Sequence, residues 1–412
     1  MKIKKTKYQI GMIVSSSMGM LLWGIIGSIA PLATAWPFVS SLPKIYLSIF
    51  LFLPTTFMII GNLTLGILAD RIGRKFIYIL STVLYGLGFL IIFFSSNVYV
   101  LVTGIALTEF GVGGEEVATL TLVSENMPVE ERGMYLVFIP NMSNIGSALI
   151  SFIFIYSYSS SIFVQKLYFV TIALIAVAIA FYTRYRVPES YRWLRDKGHI
   201  IKALEEKKKI NLTEEKVRIK PLNFYFSLSF LAIIGISQYL TYGLMTYIIG
   251  PYYFSGNMIS IIIFVASLGA AVAGFIAMFM VNWGRKRLAL FSYIGGTVTI
   301  LIILLLLNNI SNMFIFMPLL FINMIFSEFA WATRTTIEPE IFPTLKRSSA
   351  IAIVRLFPGI SYVISIFATS SFSLMDYIFF NVILWGIGAA ATVIWYFKGI
   401  ETKNISMDFI HN

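Results

Sequence analysis

Long apolar runs limit what this chain can fold into more than any other feature. Twelve of them occupy 8–33, 45–68, 76–95, 99–123, 134–156, 165–183, 223–249, 258–281, 288–307, 313–336, 348–372 and 377–397. A helix needs about 20 apolar residues to cross the hydrocarbon core of a bilayer. These runs do not alternate with period two and are too long for barrel strands, so helices are the spanning element. Only 12% of the residues are charged, against roughly 25% in a soluble domain. That inventory cannot clothe a water-facing surface, and the chain is expected to be an all-α membrane protein.

The basic residues orient it. Of 31 Lys and Arg, 27 fall in the tails and in alternate connections, 12 of them in 184–222. The opposite side has Lys44 and Lys166, while Arg334 and Arg355 lie within spans. Basic residues favour the cytoplasmic side, so both termini and the long central loop are expected there, in a multi-pass plasma-membrane protein. The net charge of +12 therefore reflects membrane edges, not a surface for nucleic acid. The chain has no cysteine, which excludes thiolate metal sites and a catalytic thiol.

An internal repeat divides the spans six and six. After the fourth stands Glu125-Asn-Met-Pro128-Val-Glu-Glu-Arg132, and after the tenth Glu340-Ile-Phe-Pro343-Thr-Leu-Lys-Arg347, both E-x-x-P-x-x-x-R and 215 residues apart. Gly73-Arg74-Lys75 and Gly284-Arg285-Lys286 follow the second and eighth spans at an offset of 211. The expected architecture is twelve transmembrane helices in two pseudo-symmetric six-helix bundles, 1–183 and 223–397. A cytoplasmic loop at 184–222, with a short surface helix near 202–209, joins them, and a tail at 398–412 follows. Duplicated units of this kind house a solute site near the midplane, between the halves.

The segment Gly61-Asn-Leu-Thr-Leu-Gly66-Ile-Leu-Ala-Asp70-Arg71-Ile-Gly73-Arg74-Lys75 resembles the signature of the major facilitator superfamily, and the resemblance extends over the whole chain. It implies alternating access by rocking of the two bundles, with Gly66, Asp70, Arg71, Gly73, Arg74 and Lys75 in a cytoplasmic latch. Glu125, Arg132, Glu340 and Arg347 would join an inner-face charge network, together with Arg285. The second copy has Asn282 where an acid would stand, so a weaker latch is expected there.

Pro188-Glu189-Ser190-Tyr191-Arg192-Trp193-Leu194, Glu340-Ile-Phe-Pro343 and Glu401-Thr402-Lys403 resemble marks of sugar porters and their organic-ion relatives. Span seven departs from the sugar-porter signature, with Gln238 as its one glutamine and no matching asparagine. Span one carries no acid, and Ile105 stands where sugar porters place an arginine. Gly113-Gly114-Glu115 instead resembles metabolite–proton symporters, and Tyr242-Gly243-Leu-Met-Thr-Tyr247 resembles aromatic-acid carriers.

Four carboxylates fall within the spans: Glu109, Glu115, Glu116 and Glu328. An ionisable group at the bilayer centre costs at least about 2.5–3.5 kcal/mol, so each needs water, a cation or a proton. Glu109, Glu115 and Glu116 are the candidates for proton coupling, the alternative being a structural bond at the glycines around them. Arg355 is a candidate for an anionic substrate or for neutralising an acid. Arg334, near the inner end, is read as snorkelling. Trp23, Gln238, Tyr239, Tyr242, Glu328 and Trp331 complete the candidate substrate-binding set.

The expected function is secondary transport of a small organic metabolite, an organic acid or related ion, coupled to protons, by a monomer in the lipid bilayer. A sugar porter and a proton-driven drug or cation exporter remain open alternatives. Neither a cofactor nor enzymatic activity is expected: His199 and His411 lie outside the spans, and no phosphate loop or nucleophile motif occurs.

Overall fold

In the computed structural model, residues 5–210, 223–309 and 312–405 are described; the remainder of the central loop and of the tails lies outside them. Twelve long helices follow the apolar runs: α1 Lys7–Ala33, α2 Lys44–Ile72, α3 Arg74–Phe94, α4 Val98–Asn126, α5 Val129–Ser157, α6 Ile162–Arg184, α7 Phe224–Tyr253, α8 Asn257–Trp283, α9 Arg285–Leu305, α10 Met313–Ile341, α11 Thr344–Thr369 and α12 Leu374–Lys398. Short helices at Tyr191–Asp196 and Ile200–Lys208 underlie the face that carries the basic residues, here called inner.

Several helices outrun the apolar pattern at their inner ends. Glu338 and Glu340, expected in a connection, belong to α10, and Arg184, expected in the central loop, is the last residue of α6. The reason is common to all three. Each polar side chain has a charged or hydrogen-bonding partner inside the protein, so the helix continues where hydropathy alone would end it.

Backbone closeness within each half rests on glycine. A Cβ on Gly24 of α1 would collide with the Ser143 carbonyl of α5, and one on Gly146 with the Leu21 carbonyl of α1. The repeat is also visible in the turns that join α2 to α3 and α8 to α9. Gly73 and Gly284 adopt φ of +111° and +112°, a region closed to most side chains. Glu189 accepts from the amides of Arg74 and Lys75 at 3.2 and 3.1 Å, while Glu401 accepts from those of Arg285 and Lys286 at 2.9 and 3.2 Å. Each carboxylate thus satisfies the orphan donors at a helix N-terminus.

The halves meet along two unlike seams. Between α2 and α11 apolar pairs meet up to the inner end: Phe52 on Phe367 with ring centroids 4.8 Å apart, Ile59 on Gly359, and Gly66 against Ala352. Between α5 and α8 it is polar, with Asn141 donating to the Ala271 carbonyl at 3.0 Å and Ser147 bonded to Ser267 at 2.7 Å. At the outer end Ser48 and Tyr252 hydroxyls lie 3.1 Å apart across the halves. Contacts therefore join the halves at both ends, with a cavity between.

Candidate solute cavity and inner charge network

Helices α1, α2, α4, α5, α7, α10 and α11 line a central cavity of about 100 Å³, measured as space open to the centre of a water molecule. Six aromatic side chains line it, Trp23, Tyr239, Tyr242, Tyr247, Trp331 and Tyr362. Trp23 and Trp331 meet edge to face at 5.5 Å from opposite halves, and Tyr239 and Tyr362 meet edge to face at 5.3 Å within the second half. In α7 a π-helical turn at Leu244–Ile248 separates Tyr242 from Tyr247, and both face the cavity. Such turns widen a helix locally and often mark functional sites.

Charge is arranged unevenly around this space. Arg355 of α11 is ion-paired with Glu116 of α4, across the halves, and with Glu338 of α10 at 2.8 Å. Arg334 is paired with the same Glu338 at 3.2 Å and donates to Gln238 at 2.5 Å. Both cavity cations are therefore held by carboxylates. Glu109 also faces the cavity, and among the described residues it has neither a cation nor a hydrogen-bond donor.

The inner network has the symmetry of the repeat. Glu125 is paired with Arg347 of the other half at 2.5 Å and with Arg74 of its own half at 3.5 Å. Glu340 is paired with Arg132 of the other half at 2.9 Å and with Arg285 of its own at 2.8 Å. Asp70 accepts from the Ser349 amide and hydroxyl at 2.8 and 2.7 Å, again across the halves, and meets Arg74 at 3.2 Å. Lys75 donates to the Tyr185 carbonyl at 2.9 Å, and Arg71 is exposed. The second copy of the latch, expected to be weak because of Asn282, keeps its arginine engaged, and Thr402 adds a donor to Glu340 at 2.5 Å.

Among the residues singled out from sequence, Trp23, Gln238, Tyr239, Tyr242, Trp331, Arg355, Glu109 and Glu116 line the cavity. Two do not. Glu115 turns into the interior of the first half, where Arg184 lies 2.6 Å away and Thr119 donates at 3.1 Å; a carboxylate one residue from Glu116 points about 100° away on a helix. Glu328 sits behind the wall and accepts from Asn144 at 2.7 Å. Arg334 does not snorkel: it is buried and lines the cavity. Sequence reasoning passed over Asn144, although Asn141, Asn144 and Ser147 form a polar stripe at helical spacing. It also passed over Glu338 and Arg184, for which apolar-run boundaries give no signal.

The sequence matches the family described as "Sugar (and other) transporter" over residues 4–412. The chain belongs to that family. Within it, the chain is 28% identical over 313 residues to the minor myo-inositol transporter IolF of Bacillus subtilis, covering 71% of this chain and 67% of that one. It is 34% identical over 139 residues to monosaccharide-sensing protein 2 of Arabidopsis thaliana, covering 34% of this chain; the match spans about a fifth of that longer protein, 19%. The fold is that of the E. coli proton:xylose symporter XylE bound to 6-bromo-6-deoxy-D-glucose, with a TM-score of 0.79, 17% identity and 98% of each chain covered. This is the major facilitator architecture, so the family assignment and the twelve-helix fold agree.

Proposed function

We propose that this sugar-transporter-family protein is a secondary transporter that carries a small polyhydroxylated solute, a monosaccharide or cyclic polyol, together with a proton. It acts as a monomer in the cytoplasmic membrane with both termini inside. One observation carries the reading. Arg334 and Arg355 are already held by Glu338 and Glu116, whereas Glu109 stands alone in the cavity. A carboxylate solute would find no free cation there, which weighs against the organic-acid expectation. Neutral hydroxyls suit the Asn144, Gln238 and tyrosine groups, and aromatic faces suit the apolar side of a ring. An unpaired buried carboxylate is stable when protonated, so a neutral solute and a proton on Glu109 together leave the cavity without excess charge. The relatives named for myo-inositol and monosaccharides support the same solute class, while two others are named for niacin.

Alternating access is supported by the arrangement of ion pairs and hydrogen bonds, since Glu125, Glu340 and Asp70 each bridge the halves and must release when they part. One chain contains the cavity and both seams, which is the ground for a monomer. The test is uptake of radiolabelled myo-inositol, D-glucose and D-xylose by purified protein in liposomes. An inward proton gradient is expected to drive accumulation of at least one, and Glu109→Gln is expected to abolish accumulation while sparing exchange. Preferential uptake of a monocarboxylate such as benzoate would overturn the solute class. Accumulation that ignores the gradient would overturn the coupling.

A further inference from the structure

We infer that Glu328 is a positioning residue that sets which hydrogen-bonding face the cavity presents to its solute, acting through Asn144. The inference deepens the solute reading above and rests on it. Asn144, on α5 and 2% exposed, lines the cavity. Its Nδ2 donates to Glu328 Oε2 at 2.7 Å and to Asn141 Oδ1 at 3.0 Å, while its Oδ1 accepts from the Tyr242 hydroxyl at 3.0 Å.

Chemistry forces this orientation. The Asn141 amide donates to the Ala271 carbonyl at 3.0 Å, and a backbone carbonyl can only accept. The Asn141 oxygen is thereby turned toward Asn144. With the Asn144 NH2 held on that side, its second N–H meets Glu328 Oε2, which accepts it. Two acceptors take both Asn144 donors, and the amide oxygen is left for Tyr242 and the cavity. The Tyr242 hydroxyl, having donated its proton to Asn144, has only acceptor capacity left. This wall therefore accepts hydrogen bonds, and the solute must donate them.

Such a wall discriminates by donor. A hydroxyl satisfies it, whereas fluorine or hydrogen at the same carbon leaves a buried acceptor unpaired, an asymmetry that favours the correct solute strongly. Glu328 touches no cavity space, so its effect reaches the solute only through the amide it orients. It also joins the halves, because Glu328 is on α10 and Asn144 on α5.

The experiment measures inhibition of D-glucose uptake in liposomes by monodeoxy and monofluoro glucoses at each ring position. In the parent protein, replacement at one or two positions is expected to weaken inhibition about tenfold or more. In Asn141→Leu, where Glu328 still accepts from Asn144, the ratio should hold; in Glu328→Gln/Asn141→Leu no fixed acceptor is left, the Asn144 NH2 can turn inward, and the ratio at those positions should fall below about threefold, with maximal rate within about twofold. A purely structural role would change rate or thermal stability and leave the ratios alone. An unchanged ratio in Glu328→Gln/Asn141→Leu, or a ratio already lost in Asn141→Leu, would overturn the inference.

A solute-free measurement separates this from the reading beneath it. Infrared difference spectra of parent and Glu328→Gln identify the Glu328 carboxyl band, and Asn144→Ala should shift that band. An unshifted band overturns the positioning contact. A shifted band in a protein that transports no polyhydroxylated solute would sink the solute reading and support the contact.

Discussion

Arg184 ends α6 at the inner face, yet its guanidinium lies 2.6 Å from Glu115, deep inside the first half. Neither side chain is exposed, and the arginine also donates to the Tyr78 carbonyl and the Thr82 hydroxyl, each at 2.5 Å. Breaking such a pair leaves an uncompensated buried charge. Arg184→Ala is expected to lower stability by about 3–5 kcal/mol, and the double variant Glu115→Gln/Arg184→Met by much less. Thermal denaturation in detergent decides it. A double variant no more stable than Arg184→Ala would show that the pair is not acting as a pair.

The Glu116–Arg355 ion pair occupies a cavity cation that a carboxylate solute would otherwise meet. Glu116→Gln leaves Arg355 with Glu338 alone and frees part of its guanidinium. Monocarboxylates that the parent ignores should then stabilise the variant against heat, with binding at least about tenfold tighter, the scale of one charge-assisted hydrogen bond. If carboxylates remain without effect, Arg355 is not what excludes them.

Glu125 and Glu340 hold the inner ends together, so weakening either should favour the inner-open state. The chain lacks cysteine, and Ser348, buried and bonded to Thr121 at 3.2 Å, offers a near-isosteric reporter as Ser348→Cys. Its alkylation by a hydrophilic maleimide should accelerate about tenfold when Glu125→Gln is added, the effect of shifting the equilibrium by about 1.4 kcal/mol. An unchanged rate would mean that these ion pairs do not govern inner closure.

Gly73 and Gly284 test the equivalence of the repeats. At φ of +111° and +112°, alanine is strained whatever the space, and a Cβ at Gly284 would also stand 2.7 Å from Glu401 Oε2. Each alanine substitution should cost about 1–3 kcal/mol, read as a lower melting temperature for both. A neutral result at either position would show that its turn can readjust.

Much of this protein was legible in its sequence because membrane physics acts locally. A span declares itself by hydrocarbon length, and the repeat by E-x-x-P-x-x-x-R at a fixed offset. The latch residues were legible for the same reason: they sit at helix ends, where punctuation is short-range. Glu109 stood out as an acid among apolar neighbours, and no tertiary knowledge was needed to notice it.

Which acids face the cavity was decided only by the tertiary structure. Glu115 and Glu116 are adjacent, yet one meets Arg184 within a half and the other meets Arg355 across the halves. Charge compensation is mostly a long-range matter in sequence: Arg184 reaches Glu115, Arg355 reaches Glu116 and Glu338, and Asn144 reaches Glu328, each from another helix. A hydropathy pattern records that a polar group is in the membrane and contains nothing about what neutralises it. The sequence by itself therefore determined the spans, their duplication and the presence of misplaced charge. Packing decided how those charges pair, leaving Glu109 alone in a cavity whose arginines are both occupied.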